Sequence, residues 1–257
     1  MGFLDLFSQH AEIYAAFRPT YPPALFEYLA STAPSTHAVW DCATGNGQAA
    51  EGLARHFQCV IATDASKKQI AQARRNDRIH YCVALAENAP LQSASVDLVT
   101  VAQALHWLNP DLFFSQVNRV LKSGGIAAVW CYTFLEVDPD IDSLLLHFYK
   151  DIVGPYWAPE RRLLEMGYQT MPFPFEEFSA PPIFMENDWN LYDLAGYLAT
   201  WSATQQYIRV NGADPVPEII EQISKFWGDA SASKHIRWPL SIRIGRKQRN
   251  VGISICG

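Results

Sequence analysis

Long apolar runs are missing from this chain. No stretch approaches the eighteen or more consecutive apolar residues that a membrane-spanning helix requires, although hydrophobic residues fill 49% of its 257 positions. There is material for a large core and none for a span, so the expectation is a soluble protein with no membrane partner. The N-terminus also lacks a basic region followed by an apolar stretch, and Leu6 stands where a myristoylation motif needs Ser or Thr, so the expected location is cytoplasmic. Cysteine is sparse: Cys42, Cys59, Cys82, Cys131 and Cys256 show no Cys-x-x-Cys spacing, and the first four lie in or beside expected strands. Neither a disulfide framework nor zinc is indicated. No two of the seven histidines have the three- or four-residue spacing of a helical metal site, and no metal is expected. Positive charge is short as well, 20 Lys and Arg against 26 Asp and Glu, which leaves -6 and no field for nucleic acid. The local cluster Arg243, Arg246, Lys247 and Arg249 reads as a solvated tail.

What is present is alternation. From Ala38 to Tyr132 the pattern predicts strand 38–42, helix 48–57, strand 59–63, helix 66–75, strands 79–83 and 97–102, helix 110–121 and strand 125–132. Asn109-Pro110-Asp111 supplies a cap, a first-turn proline and an acid for one helix, and Ser123-Gly124-Gly125 stops it. Such alternation predicts an α/β fold, a doubly wound and mostly parallel sheet with helices on both faces. Five segments are expected: an N-terminal helical cap at 1–36, a core at 37–133, an aromatic- and proline-rich insertion at 134–208, a completing helix and edge strand at 209–248, and a tail at 249–257. Within the last three, 183–189 reads as a strand, 191–207 and 215–227 as helices, and 236–244 as an edge strand.

The most informative stretch is Asp41-Cys42-Ala43-Thr44-Gly45-Asn46-Gly47-Gln48-Ala49, an acid at a strand end followed by a glycine-rich turn into a helix. Gly-x-Gly-x-x-Ala alone also fits a dinucleotide fingerprint, with Asp64 at about the right distance for a ribose-binding acid, so an NAD-dependent oxidoreductase is one reading. Asp41 separates the two: a diphosphate brought there meets a like charge, whereas an ammonium and a sulfonium are attracted, which favours S-adenosylmethionine.

Open parallel sheets bind ligands beyond the carboxyl ends of their strands. The first end offers Asp41, Ala43, Gly45, Asn46 and Gly47 as cofactor contacts. The second offers Asp64, suited to ribose hydroxyls or simply to capping the next helix, and Ala65. The third offers Ala86 and Glu87 in a loop suited to an adenine edge. The fourth offers Gln103 and Ala104, then His106 and Trp107 beside the reacting sulfur.

Together these segments resemble the class I S-adenosylmethionine-dependent methyltransferases over residues 38–132. Tyr14-Ala15-Ala16-Phe17-Arg18-Pro19-Thr20-Tyr21-Pro22 and Ala102-Gln103-Ala104-Leu105-His106-Trp107 are similar to the trans-aconitate methyltransferase-like (methyltransferase type 11) branch. The resemblance implies a Rossmann-like, seven-stranded sheet with an antiparallel last strand, a substrate region after the fifth strand, and a cofactor site that Tyr14 and Arg18 help to close. The expected reaction is methyl transfer to oxygen of a carboxylate or hydroxyl on a small-molecule acceptor, by a monomer or weak homodimer. His106 is the candidate base for a hydroxyl, with His106, Trp107 and Tyr132 toward the acceptor. Arg161 and Arg162 are candidate anion clamps among many aromatics, most of them plain packing. A methyltransferase-fold binding protein without turnover is the third reading.

Overall fold

The computed structural model describes residues 18–248. In chain order they form α1 (Pro23–Thr32), β1 (Ala38–Cys42), α2 (Gln48–Leu53), β2 (Cys59–Asp64), α3 (Lys67–Ala71) and β3 (Ile79–Val83). Next come β4 (Val96–Ala102), α4 (Pro110–Val120), β5 (Leu121–Tyr132), α5 (Pro139–His147) and α6 (Arg161–Glu165). The last are β6 (Glu176–Phe178), β7 (Phe184–Trp189), α7 (Leu191–Ala199), α8 (Ser202–Asn211), α9 (Val216–Trp227) and β8 (Lys234–Arg246). Two compact units divide these residues. One holds Tyr21–Tyr132, Leu163–Ile183 and 240–248; the other holds 18–20, Thr133–Arg162 and Phe184–Pro239.

The first unit is the sheet, in the order β3-β2-β1-β4-β5-β8-β6. Strands β1 to β5 run parallel, and β8 is antiparallel to β5 and β6. From β1 the chain winds outward through β2 to β3, then returns to lay β4 against the other side of β1. That reversal opens a crevice at the carboxyl ends of β1 and β4, the place where open α/β sheets take ligands. Successive side chains on a strand point to opposite faces, so Trp40 packs with Val99, Val101, Phe113 and Val117 on one side. Val39 packs with Val60, Leu98, Leu53, Phe57 and Leu29 on the other. With both faces covered, the central strands read as continuous apolar runs instead of alternating ones.

The observed sheet is Rossmann-like and mostly parallel; counting β7, which pairs with β8 off that path, it has eight strands and not seven. The extra strand, β6, is a short and largely exposed Glu-Glu-Phe with no apolar pattern to announce it. Its partner β8 is consequently interior, not an edge. Strand β5 begins at Leu121, earlier than the glycine stop suggested, because Leu121 pairs with Val96 ahead of a register shift. The single helix expected at 191–207 is two helices, α7 and α8, since Trp201 adopts an extended conformation between them. In the second unit β7 pairs antiparallel with the first half of β8, from Phe184 opposite Pro239 to Trp189 opposite Lys234.

Helix α2, which leads away from the glycine-rich turn, packs so closely on α1 that a Cβ at Gly52 would lie 2.1 Å from the Phe26 ring. Alanine there gains about 1 kcal/mol of helix propensity but overpacks a rigid buried ring, a cost of about 1–3 kcal/mol. Gly52→Ala is therefore expected to lower the denaturation midpoint. Combining it with Phe26→Ala should give a loss smaller than the sum of the two, read from a double-mutant cycle. A neutral or stabilising Gly52→Ala contradicts this packing.

Candidate functional site

Beyond β1 the chain turns through Ala43, Gly45 and Gly47, all three with left-handed φ of 53°, 59° and 92°. The turn is pinned where Thr44 N donates to Thr63 O at 2.9 Å and Gly47 N donates to Thr44 O at 3.0 Å. The two glycines serve different ends. A Cβ on Gly47 would stand 2.2 Å from Tyr81 Oη, whereas one on Gly45 would meet only Gln69 Oε1 at 3.9 Å. Gly47 admits a neighbouring side chain, and Gly45 leaves space over the turn.

Asp41 is wholly buried. Its Oδ2 accepts the Thr44 hydroxyl at 2.5 Å and its Oδ1 accepts the Thr100 hydroxyl at 2.7 Å. Burial pushes its pKa up to about 6 against the pull of those two hydroxyls, and the Asp64 charge adds to the rise. Sequence spacing suggested an acid at the strand end; there the carboxylate is buried among the Thr44 and Thr100 hydroxyls, with a further backbone hydrogen bond from Ala50. Asp64, half-buried, ties the neighbouring loops together: Oδ2 accepts Gly45 N–H and Oδ1 accepts Ser66 N–H, each at 2.8 Å. The helix cap itself is the Ser66 side chain, which accepts from Gln69 N. Ala65 lies between, in the β2–α3 turn, and Asn46 sits in the first turn beside Gly45.

At the third strand end, Ala86–Asn88 form a single 3₁₀ turn with Ala86 buried. Glu87 Oε1 accepts Asn109 N–H at 3.0 Å, joining this loop to the start of α4. At the fourth, Gln103 takes a left-handed φ of 56°. Its backbone N–H donates to Trp130 O at 2.9 Å and its Nε2 to Tyr132 O at 3.1 Å, while Oε1 is buried with no partner among the described residues. After Ala104, the 3₁₀ turn Leu105–Trp107 presents His106, whose Nδ1 lies 3.0 Å from Tyr168 Oη, with Trp107 43% exposed beside it. Tyr132 is buried at the end of β5.

The structure thus brings Asp41, Gly45 and Asp64 into one bonded cluster and sets Gln103, Ala104 and His106 on the adjoining strand end. Arg18 lies in the other unit, donating to Thr200 O at 3.4 Å with its Cζ 5.4 Å from the Tyr197 ring centre. Tyr14 lies outside the described residues. Thr44, Thr100, Tyr81 and Tyr168 were missed. Thr100 left a signal, a lone hydroxyl inside the apolar strand Val96–Ala102; Tyr168, 62 positions from His106, left none.

In the second unit Arg161 sits against Trp157 and Tyr149, its Cζ 4.5 and 5.5 Å from the ring centres. Its Nε donates to Tyr149 Oη at 2.9 Å and its Nη2 to Thr133 O at 3.5 Å. Tyr149 and Trp157 pack in turn on Trp201. Arg162 is exposed. Other aromatics of the stretch, such as Tyr156 on Tyr207 and Trp189 on Tyr197, pack on one another.

Comparison with known proteins places this geometry among relatives. The methyltransferase domain family matches residues 40–129. A Dictyostelium discoideum protein named as a methyltransferase is 31% identical over 254 residues, covering 96% of each chain. The solved structure of an Anaeromyxobacter dehalogenans protein named as a type II methyltransferase is 42% identical, covers 91% of this chain and 99% of its own, and superposes with a TM-score of 0.87. A malonyl-[acyl-carrier protein] O-methyltransferase of Marinomonas is 36% identical over 130 residues, 47% of each chain.

The Asp41 environment has a measurable cost. A carboxyl at about 6 in the folded chain and near 3.8 when unfolded holds its proton more tightly when folded, so stability is lost as pH rises through that window and stays lost above it. The difference amounts to about 3 kcal/mol. Asp41→Asn removes the ionisation, so the gap in unfolding free energy between variant and wild type should shift by most of that amount, roughly 2–2.5 kcal/mol, in the variant's favour between pH 4 and pH 7.5. A gap independent of pH contradicts the burial of an ionised group.

Proposed function

The chain belongs to the class I S-adenosylmethionine-dependent methyltransferases, and from that premise we propose that it methylates an oxygen, of a carboxylate or a hydroxyl, on a small-molecule acceptor. Membership removes the nicotinamide-dinucleotide reading. When bound, S-adenosylmethionine would supply an electrophilic methyl group for a lone pair of the acceptor oxygen, sulfur keeping the electrons of the broken bond; a carboxylate needs to lose no proton, and a hydroxyl would release its proton to solvent.

The residues around the crevice fit this cofactor. Gln103 Oε1, a buried acceptor without a donor among the described residues, suits the ammonium of the methionine portion. Asp64 accepts a backbone N–H at each oxygen, from Gly45 and from Ser66, which holds the carboxylate at the strand end where ribose hydroxyls would meet it. Gly45 leaves the turn open above them, with Ala43, Asn46, Gly47, Ala65, Ala86, Glu87 and Ala104 lining the same strand ends. The buried charge of Asp41 favours a cationic ligand over a diphosphate, since its field is weakly screened in the interior.

For the acceptor, the supporting observation is Arg161. Its guanidinium is stacked on aromatic rings and bonded to a phenol and a carbonyl, with no carboxylate partner among the described residues. An arginine held this way is pre-organised to take an anion. An ionised carboxylate needs no base near neutral pH, and orientation alone can supply roughly 7–11 kcal/mol of a two-body barrier. The resemblance to an O-methyltransferase of malonyl-[acyl-carrier protein] supports oxygen as the receiving atom.

Isothermal titration is expected to show S-adenosylhomocysteine binding, weakened about tenfold or more, or about 1.4 kcal/mol, by Asp64→Ala and by Gln103→Leu; unchanged affinity in both variants defeats these assignments. Labelled-methyl assays across polycarboxylates, aromatic carboxylates and phenols should yield esters or ethers. Arg161→Leu should raise KM for a carboxylate acceptor about tenfold or more with little change in kcat. Methyl transfer to nitrogen or carbon alone would contradict the oxygen reading.

A further inference from the structure

The geometry points to Tyr168 as a positioning residue that donates its phenol hydrogen to Nδ1 of His106, so that His106 carries its proton on Nε2 and acts as a hydrogen-bond donor to the acceptor oxygen and not as a base. This rests on the oxygen-acceptor reading above. His106 Nδ1 and Tyr168 Oη are 3.0 Å apart, and the rings are stacked, 6.0 Å between centres at 23°. In such a pair the phenol is the stronger donor and the imidazole nitrogen the stronger acceptor, which sets the direction of the bond and leaves the imidazole hydrogen on the far nitrogen.

The placement of Tyr168 is built and not incidental. It is fully buried, follows Gly167, and like that glycine has a left-handed φ, 61° against 58°. A bulky side chain keeps such a conformation only where its surroundings hold it. Here the hold is Arg243, 93% buried, whose Nη1 donates to Tyr168 O at 2.6 Å and to Met171 O at 2.8 Å. Arg243 is itself gripped in a two-bond pair with Glu177, Nε to Oε1 at 2.9 Å and Nη2 to Oε2 at 3.0 Å. Tyr168 N also donates to Leu163 O at 2.9 Å. The three-residue strand carrying Glu177 thereby has a use. It completes an ion pair that fixes the peptide whose side chain orients His106. Tyr168 belongs to the same apolar cluster as Cys131 and Leu164, a place phenylalanine would fill equally; the hydroxyl is what the His106 bond requires.

The test is the imidazole tautomer, measured on the full-length protein labelled with 15N-histidine, with and without S-adenosylhomocysteine. His106 is assigned by comparison with His106→Asn. Nitrogen–hydrogen correlations should show the Nε2–H form dominant in the wild type and its ratio to the Nδ1–H form reduced roughly 3- to 10-fold in Tyr168→Phe. A dominant Nδ1–H form in the wild type, or an unchanged ratio in Tyr168→Phe, overturns the assignment. Should Tyr168→Phe fail to fold, His106→Gln decides. It keeps a donor but has no basic nitrogen, so it should methylate a carboxylate acceptor within about tenfold of wild type where His106→Leu loses more; equal loss in both overturns the donor role. Absence of S-adenosylhomocysteine binding with the Nε2–H tautomer intact would defeat the functional reading and leave the pairing standing.

Discussion

A carboxylate sealed between two threonine hydroxyls organises the cofactor end of this fold. Asp41 reaches across to Thr100 on β4 and forward to Thr44 in the turn, so one side chain ties the central strand pair to the loop that follows. Asp64 repeats the device one strand over, fastening the same loop through Gly45. Removing an ion from water is costly, and here the two hydroxyls and a backbone hydrogen bond from Ala50 offset burial only in part, so the arrangement is retained against stability. A group of that kind, at the reversal point of an open sheet, is what a site for a positively charged ligand requires.

Three of the four non-glycine residues with left-handed φ among the described residues lie in or against the same region, the fourth being Ala94 in the loop before β4. Ala43 at the end of β1, Gln103 at the end of β4 and Tyr168 against His106 all lie in the left-handed region without being glycine. Each such residue costs on the order of 1–3 kcal/mol and persists only when neighbours over-determine it. The neighbours can be named: the Asp41 and Asp64 bonds around the first, Trp130 O and Tyr132 O for the second, and the Arg243 pair for the third. Strain held at three points around one crevice marks where precise placement was worth more than stability.

How much of this was legible in the sequence depended on whether a feature was local. The parallel core could be read because apolar runs, capped helices and glycine stops are written in consecutive residues, and the cap at Asn109 is where that pattern puts it. The eighth strand could not, since Glu176–Phe178 pairs with Ile244–Arg246, far along the chain, and Glu177 is held there by the Arg243 side chain. The break at Trp201 escaped for a similar reason: the helical pattern runs through it, and an aromatic cluster overrides the pattern. Within the candidate site, spacing singles out Asp41, Gly45, Gly47 and Asp64, which the structure gathers around one turn. Their chemistry is not legible in spacing, because only burial decides whether an acid faces a ligand or is enclosed by its neighbours.

The central claim is that the buried Asp41 charge senses the cationic sulfur of the cofactor. Titration calorimetry at pH 6 in buffers of different ionisation enthalpy measures it through proton release on binding. The account predicts that S-adenosylmethionine expels up to about half a proton, more than S-adenosylhomocysteine does, and that the release fades by pH 8, where Asp41 is already ionised. Equal release by the two ligands, or none at pH 6, would contradict it.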